Sequence, residues 1–287
     1  MTVRFDDIGN RLKAFRLGSG LSAEAVAADL GISRTALYRL EKGELVKIET
    51  LERLSNLLDV SVMTLLGVGV EYIGSALSFF ERLRQIEEVS EHITVLAGSV
   101  SYLLTSETFD KTLGTVLEES SPSHGDFRLP DLMDVLNQRK ETYRRRKPGI
   151  LNLISGSEIE RFLSNGLVGR IDLPRSLQEE RRLAARREAL HLTELMEAQP
   201  IGLQIGVVPG TLPHNSFQIF RQSDRKLLAL SPFRLGEQPN ISAGIAMITE
   251  AEEAITLHQK MVEAMWERAK KGPAGGEYLR GLIKRYQ

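Results

Sequence analysis

Six polar side chains, Ser33, Arg34, Thr35, Tyr38, Arg39 and Lys42, crowd a ten-residue stretch whose apolar positions are Leu37 and Leu40. On a helix the two leucines share one stripe and the polar six project from the other side. Their chemistry is hydrogen bonding, not bond making. An arginine fork matches the O6 and N7 edge of guanine, while hydroxyls and lysine reach bases or phosphates. Arg34 and Thr35, near the helix start, are the expected base contacts. Lys47, in the following loop, is the expected phosphate contact.

Other chemistries find little support. The chain has no cysteine, which excludes disulfides, thiol nucleophiles and thiolate metal sites. Its histidines, 92, 124, 191, 214 and 258, include no pair three or four apart, so no metal site is expected. No GxSxG elbow, phosphate loop or GxGxxG occurs. His258-Gln259-Lys260 resembles the HxK core of phospholipase-D-type enzymes, but it lies inside a helical pattern without the later aspartate. Ala97-Gly98 is the kind of bond that self-cleaving repressors cut, yet no serine nucleophile with a lysine base follows it. The expectation is a protein that is no enzyme and holds no metal or cofactor. Ser155-Gly156-Ser157, between strand and helix, reads as a helix cap that could hold an anion. Arg144–Lys147 reads as a solvated helix end, and Trp266 as a core anchor.

The polar stretch needs elements to position it. Ile8–Leu17 reads as a first helix, with Ile8, Leu12 and Phe15 on one face. Ser22 caps a second, Ala23–Asp29, and Gly31 supplies the turn. Ser33 caps the third, Arg34–Lys42, and Ile48–Leu58 and Val62–Leu66 complete five helices. From the Gly20-Leu21-Ser22 start to the Leu40-Glu41-Lys42-Gly43 signature and beyond, the segment resembles the Cro/C1-type (XRE) helix-turn-helix family. The resemblance implies a partly buried ion pair between Arg16 and Glu41, and a third helix laid in the major groove. The family's phosphate-binding glutamine after Leu-Ser is here Ala23.

Three zones follow: an all-α five-helix domain (1–67), a linker helix (68–92) and an α/β domain (93–287). Tyr72, Ala76, Phe79, Leu83 and Ile86 recur at heptad spacing on the way to Ile93, which predicts a dimerisation seam or, since Ile73, Leu77 and Phe80 widen the apolar face, a helix packed on the chain's own second domain. Beyond it, predicted strands at 93–98, 150–155, 203–209, 216–221, 227–231 and 241–248 alternate with helices at 106–119, 129–146, 157–165, 176–198 and 249–271. Residues 120–125 and 271–276 read as breaks. Ligands of such a layer fold are expected beyond strand C-termini, near 98–102, 155–157 and 208–211. Residues 200–270 are loosely similar to effector halves of larger XRE regulators and to catalytically inactive phospholipase-D-like folds, with no residue roles carried across. The net charge of −1 argues against a nonspecific nucleic-acid coat. The first residues hold no apolar signal core and no run is long enough to span a membrane. The whole implies a cytoplasmic, homodimeric regulator of the repressor kind. Its expected partners are an operator in double-stranded DNA, a second copy of itself and a small-molecule effector. The alternatives are an antitoxin-like repressor whose C-terminal half binds a protein, and an enzyme with a DNA-binding head.

Overall fold

A computed structural model describes residues 4–44, 47–120, 129–170, 172–210, 212–213 and 216–286. Residues 121–125 of the break predicted at 120–125, among them His124, and Thr211 and His214 lie outside them. Helix α1 (Phe5–Gly18) buries Ile8, Leu12 and Phe15. It is followed by α2 (Ala23–Leu30), α3 (Arg34–Glu41), α4 (Ile48–Leu57) and α5 (Val62–Leu66). The hydroxyls of Ser22, Ser33 and Ser61 accept from the first turns of α2, α3 and α5, satisfying donors a helix leaves open. Arg53 of α4 donates to the carbonyls of Leu30, at 3.0 Å, and Asp29, closing the other end of α2. Gly67 ends α5 with φ 71°, and a Cβ there would lie 2.3 Å from the Arg11 guanidinium carbon. Conformation and space both require glycine.

The chain continues through β1 (Val70–Ile73), α6 (Ala76–Glu88), β2 (His92–Leu96), α7 (Phe109–Ser120), α8 (Leu129–Arg146), β3 (Gly149–Ser155), α9 (Gly156–Asn165) and α10 (Arg175–Ala198). Then come β4 (Leu203–Val208), β5 (Ser216–Arg221), β6 (Lys226–Ser231), β7 (Ala246–Thr249), α11 (Glu252–Arg268), β8 (Lys270–Lys271) and α12 (Gly272–Arg285). The strands form one mixed sheet, ordered β1-β7-β6-β5-β2-β3-β4-β8. β2, β3 and β4 run parallel and the other pairings are antiparallel. Helix α11 covers one face through Ile255 and Val262. The opposite face packs on α6, α9 and α12, which are backed by α8 and α10, and its core runs without interruption into that of α1–α5. No described helix is long and apolar enough to cross a membrane.

Residues 68–92 correct the sequence reading. They are not one helix but a strand, a helix and a turn. Val70–Ile73 pairs antiparallel with Ala246–Thr249, so Tyr72 sits on an edge strand, 57% exposed. Ala76, Phe79, Leu83 and Ile86 do share a face of α6, but each is at most 3% exposed within the chain's own core. They cannot form a seam with a second copy. The α/β part therefore begins near residue 70, not 93. Two smaller differences remain: the strand expected at 241–248 shrinks to Ala246–Thr249, and the expected break at 271–276 opens α12 instead.

Buried charge ties the two parts together. Arg11 Nε of α1 donates to Glu71 Oε1 at 2.6 Å, while Arg82 Nε and Nη2 of α6 reach both Glu71 oxygens at 2.9 and 3.0 Å. Arg82 Nη1 donates to Gln85 Oε1 at 2.8 Å, and Gln85 Nε2 donates to the carbonyl of Asn10 at 3.0 Å. All four side chains belong to buried residues. Alongside, Asp7 accepts from Arg225 at 2.6 and 3.1 Å, and Lys13 lies 3.1 Å from Glu81. Burial alone would raise the pKa of Glu71, but Arg82 and Arg11 outweigh it and hold the carboxyl below its ordinary 4.5. The same balance, struck chiefly by Arg225 and by Arg84 respectively, lowers Asp7 and Glu81.

Removing the Glu71 carboxylate leaves two guanidiniums buried without it, so Glu71→Gln should cost about 3–5 kcal/mol in urea melts at neutral pH. Because the folded pKa is depressed, the stabilisation is fully present above the ordinary value of 4.5 and is lost as pH falls through the folded value. Wild-type urea midpoints should therefore drop steeply below that pH, and Glu71→Gln should show a shallower drop. Parallel pH profiles would overturn this role for Glu71.

Candidate nucleic-acid interface

Helix α3 is held from behind. It packs on α1 and α2, burying Leu37 and Glu41. Gly9 permits the close approach of α1: a Cβ there would meet Leu40 O, Glu41 O and Gly43 N at 2.6–2.7 Å. Arg16 Nε and Nη2 donate to Glu41 Oε1 and Oε2 at 2.5 and 3.0 Å, and both residues are buried. This bidentate pair fixes the rotation of α3 about its axis relative to α1.

The front of α3 is open. Ser33, Arg34, Thr35, Tyr38, Arg39 and Lys42 are all exposed. Lys47 is exposed at the start of α4. Ser33 is engaged as the α3 cap, accepting from Ala36 N at 3.1 Å. Arg34 Nε donates to the Tyr38 hydroxyl at 3.0 Å and its guanidinium lies 5.3 Å from that ring's centre. Its Nη1 pairs with Glu24. Arg39 Nε donates to Glu44 Oε1 at 2.6 Å. Tyr38 and then Glu24 raise the pKa of Arg34, and Glu44 raises that of Arg39. Lys42 and Lys47 make no ion pair among the described residues. The surface thus presents two guanidinium forks, a phenol, a threonine hydroxyl and two lysines, a set suited to base edges and phosphates. Ala23, where the resembled family has glutamine, is buried at the first position of α2.

Glu24, Glu44 and Arg53 belong to this surface or its support, and the sequence reading passed over them. Glu44 lies five residues after Arg39, outside the usual helical pairing distances, and Glu24 reaches Arg34 across a turn. No pattern in a single helix signals either contact.

The expected ligand positions of the α/β part divide. Ser155 and Ser157 hydroxyls donate to the carbonyl of Gly210 at 2.8 and 3.0 Å, and Ser155 also caps α9. A carbonyl at that spot excludes an anion. Residues 98–102, by contrast, line a cavity of about 160 Å³. Arg144 and Arg145 pair loosely with Glu107 and Glu88, at 3.3 and 3.5 Å, as an exposed helix end does. Trp266 is half-buried, with Gly206 beneath it. On α11, His258 Nδ1 lies 2.8 Å from the carbonyl of Ala254 and its ring meets Phe217 edge-on, while Lys260 is exposed.

Residues 7–65 match the family described as a helix-turn-helix domain. No curated protein matches the chain. The match ends just before β1, and it identifies the five-helix unit as a helix-turn-helix domain, which supports DNA binding and a role in regulating transcription.

Arg34→Ala should leave the melting temperature unchanged and reduce discrimination between cognate and scrambled DNA by about 1–3 kcal/mol, the usual range for one bidentate base contact. Competition binding at one fixed salt concentration measures it, and undiminished discrimination would remove Arg34 from the base contacts. For the supporting pair, Arg16→Met and Glu41→Gln should each cost about 3–5 kcal/mol, and the double variant clearly less than their sum. Strict additivity in urea melts would show that the pair does not hold α3.

Proposed function

We propose that the chain is a sequence-specific transcriptional regulator that binds its operator as a homodimer and carries an effector site, not a catalytic one, in its α/β part. The observation that carries this reading is the open front of α3, with Arg34, Thr35, Arg39 and Lys42 exposed on a helix locked from behind by Arg16 and Glu41. Such a surface has the dimensions and donors of a major-groove reader.

Dimerisation follows from affinity. Residues 1–67 contain nine Lys and Arg against nine Asp and Glu, so a single domain has no net attraction for DNA and few base contacts. A second linked domain makes the other half-site contact intramolecular, a gain of about 10²–10⁴ in apparent affinity. The interface must lie outside the buried face of α6.

The test is selection of bound fragments from genomic DNA by the full-length protein, followed by light scattering of the complex. The expected sites are inverted repeats whose half-sites lie about 34 Å apart, one helical turn, each holding two chains. Single half-sites occupied by one chain would overturn the homodimer, and no sequence enrichment would overturn the regulator itself.

A further inference from the structure

The cavity of about 160 Å³ lies at the C-terminal end of β2, between α6 and the β5–β6 pair. We propose that it binds a small organic anion, a carboxylate carried on a single ring or an aliphatic group of similar bulk, and that α6 transmits its occupancy to the helix-turn-helix domain. The proposal rests on the reading of the α/β part as a sensing unit, and it adds the chemistry of the ligand and the route of the signal.

Size sets the first limit, since an apolar protein cavity of roughly 150 Å³ admits benzene. Phe79 and Phe80 of α6, Val95, Phe217, Ala229 and Phe233 give the cavity an apolar wall. The Phe79 ring centre lies 5.5 Å from that of Phe80 and 6.0 Å from that of Phe233. A ring or branched chain can fill such a space without leaving a void.

The polar group is Arg139 of α8, which lines the same cavity at 2% exposure. Its Nε and Nη2 donate to Glu87 at 2.9 and 2.6 Å, and its guanidinium lies over the rings of Phe80 and Tyr102. Among the described residues its Nη1 has no acceptor. A donor left open on the cavity wall favours a ligand that supplies an acceptor, and a carboxylate forms the strongest such bond. The acids at the rim do not oppose this. Glu158 and Glu237 are already matched by Arg161, at 3.2 and 3.0 Å, and Glu237 also accepts from Asn165 at 2.6 Å. With Arg234 also on the lining, Arg139, Arg161 and Arg234 balance Glu158, Glu237 and the adjoining Glu87, and the nearby charges cancel. Recognition therefore falls to the unmet N–H groups rather than to a net field.

The same contacts make α6 the messenger. Its Glu87 is bound to the very guanidinium the anion would share, and its Phe79 and Phe80 touch whatever fills the cavity. Elsewhere on its surface, Glu81, Arg82 and Gln85 hold Lys13, Glu71 with Arg11, and the Asn10 carbonyl. A helix of 13 residues moves as one body, so a shift at Glu87 or Phe80 is delivered to α1. In a dimer that shift changes the separation of the two α3 helices. An effector acts this way only if it binds one arrangement better than the other.

The experiment uses full-length protein, benzoate as probe, benzamide as its neutral isostere and benzylamine as its cationic counterpart. Benzoate should raise the melting temperature saturably with a Kd of about 1 mM, as expected for so small a ligand, and the other two at least about tenfold more weakly. Ala229→Leu fills the cavity without altering charge, so it should melt cooperatively and lose the benzoate response. Removing the ion pair whole, Arg139→Met with Glu87→Met, should preserve folding and abolish the preference for benzoate over benzamide. No benzoate response, or a response that survives Ala229→Leu, would overturn the site. A preference for benzylamine would overturn the anion. For the route, saturating benzoate should change operator affinity by about fivefold or more, and an unchanged affinity would overturn the coupling. Operator binding without benzoate tests the regulator reading alone, so its failure leaves the melting result standing and the two failures are distinguishable.

Discussion

Glu71 sits between two buried arginines, and the relation of the DNA-binding domain to the rest of the molecule depends on that placement. Taking a carboxylate or a guanidinium out of water costs several kcal/mol per ion, and only close, well-directed bonds recover it. Here one carboxylate accepts three bonds from Arg11 and Arg82, and Arg82 donates a fourth to Gln85. An apolar contact tolerates rotation and slippage, whereas a bidentate guanidinium does not. The five-helix unit is thus docked in one orientation, with α1 laid along α6. The second tier, Asp7 with Arg225 and Lys13 with Glu81, extends the same principle to both sides of that contact. Arg225 also donates to Glu250 at 2.8 Å, so counting Arg11, Arg82 and Arg225 against Glu71, Asp7 and Glu250, the cluster is electrically even. Its strength therefore lies in geometry more than in any surplus charge.

That docking explains why α6 carries charge where a buried helix is expected to be apolar. Its leucine and phenylalanine face belongs to the sheet, and Glu81, Arg82, Gln85 and Glu87 are buried as well. Each has a named partner on α1, β1, α8 or α6 itself. The sheet order contributes by placing β1, which supplies Glu71, at the far edge beside β7. The strand is short and paired on one side only, yet it delivers the carboxylate to the junction between the two parts.

How far the sequence disclosed this depends on the range of the interaction. The helix-turn-helix was legible because its signals are local: Ser22 and Ser33 cap within three residues, and Gly31 turns with φ 66°. The strand at Ser216–Arg221 was legible to the residue, since alternation is also local. Tyr72 misled because 72, 76, 79, 83 and 86 satisfy a heptad whether or not the first of them is helical. Left-handed Gly69 interrupts the expected helix near its start, and β7, more than 170 residues away, claims the strand. Helix α12 was hidden by its glycines. Gly275 and Gly276 in fact admit Met196 and Glu197 of α10 so closely that a Cβ would meet them at 2.1 and 2.7 Å. Arg11, Arg82 and Arg139 carry no local sign of burial, because their carboxylate partners stand on other elements.

The front of α3 follows a related electrostatic logic at the surface. Arg34 and Arg39 do not wait unbound, because Glu24 and Glu44 hold them in the free protein. Exposed pairs of this kind stabilise the fold little, so their effect is felt on binding. At a nonspecific site the arginines meet only phosphate, and the two acids are brought against a polyanion. At a cognate site each fork gains directed bonds to a base edge that offset the exchange. The even charge of residues 1–67 acts in the same direction by weakening the counterion-release term that drives nonspecific binding. A surface so arranged gives up affinity for DNA in general and keeps the difference between one sequence and another, which is the quantity a regulator needs.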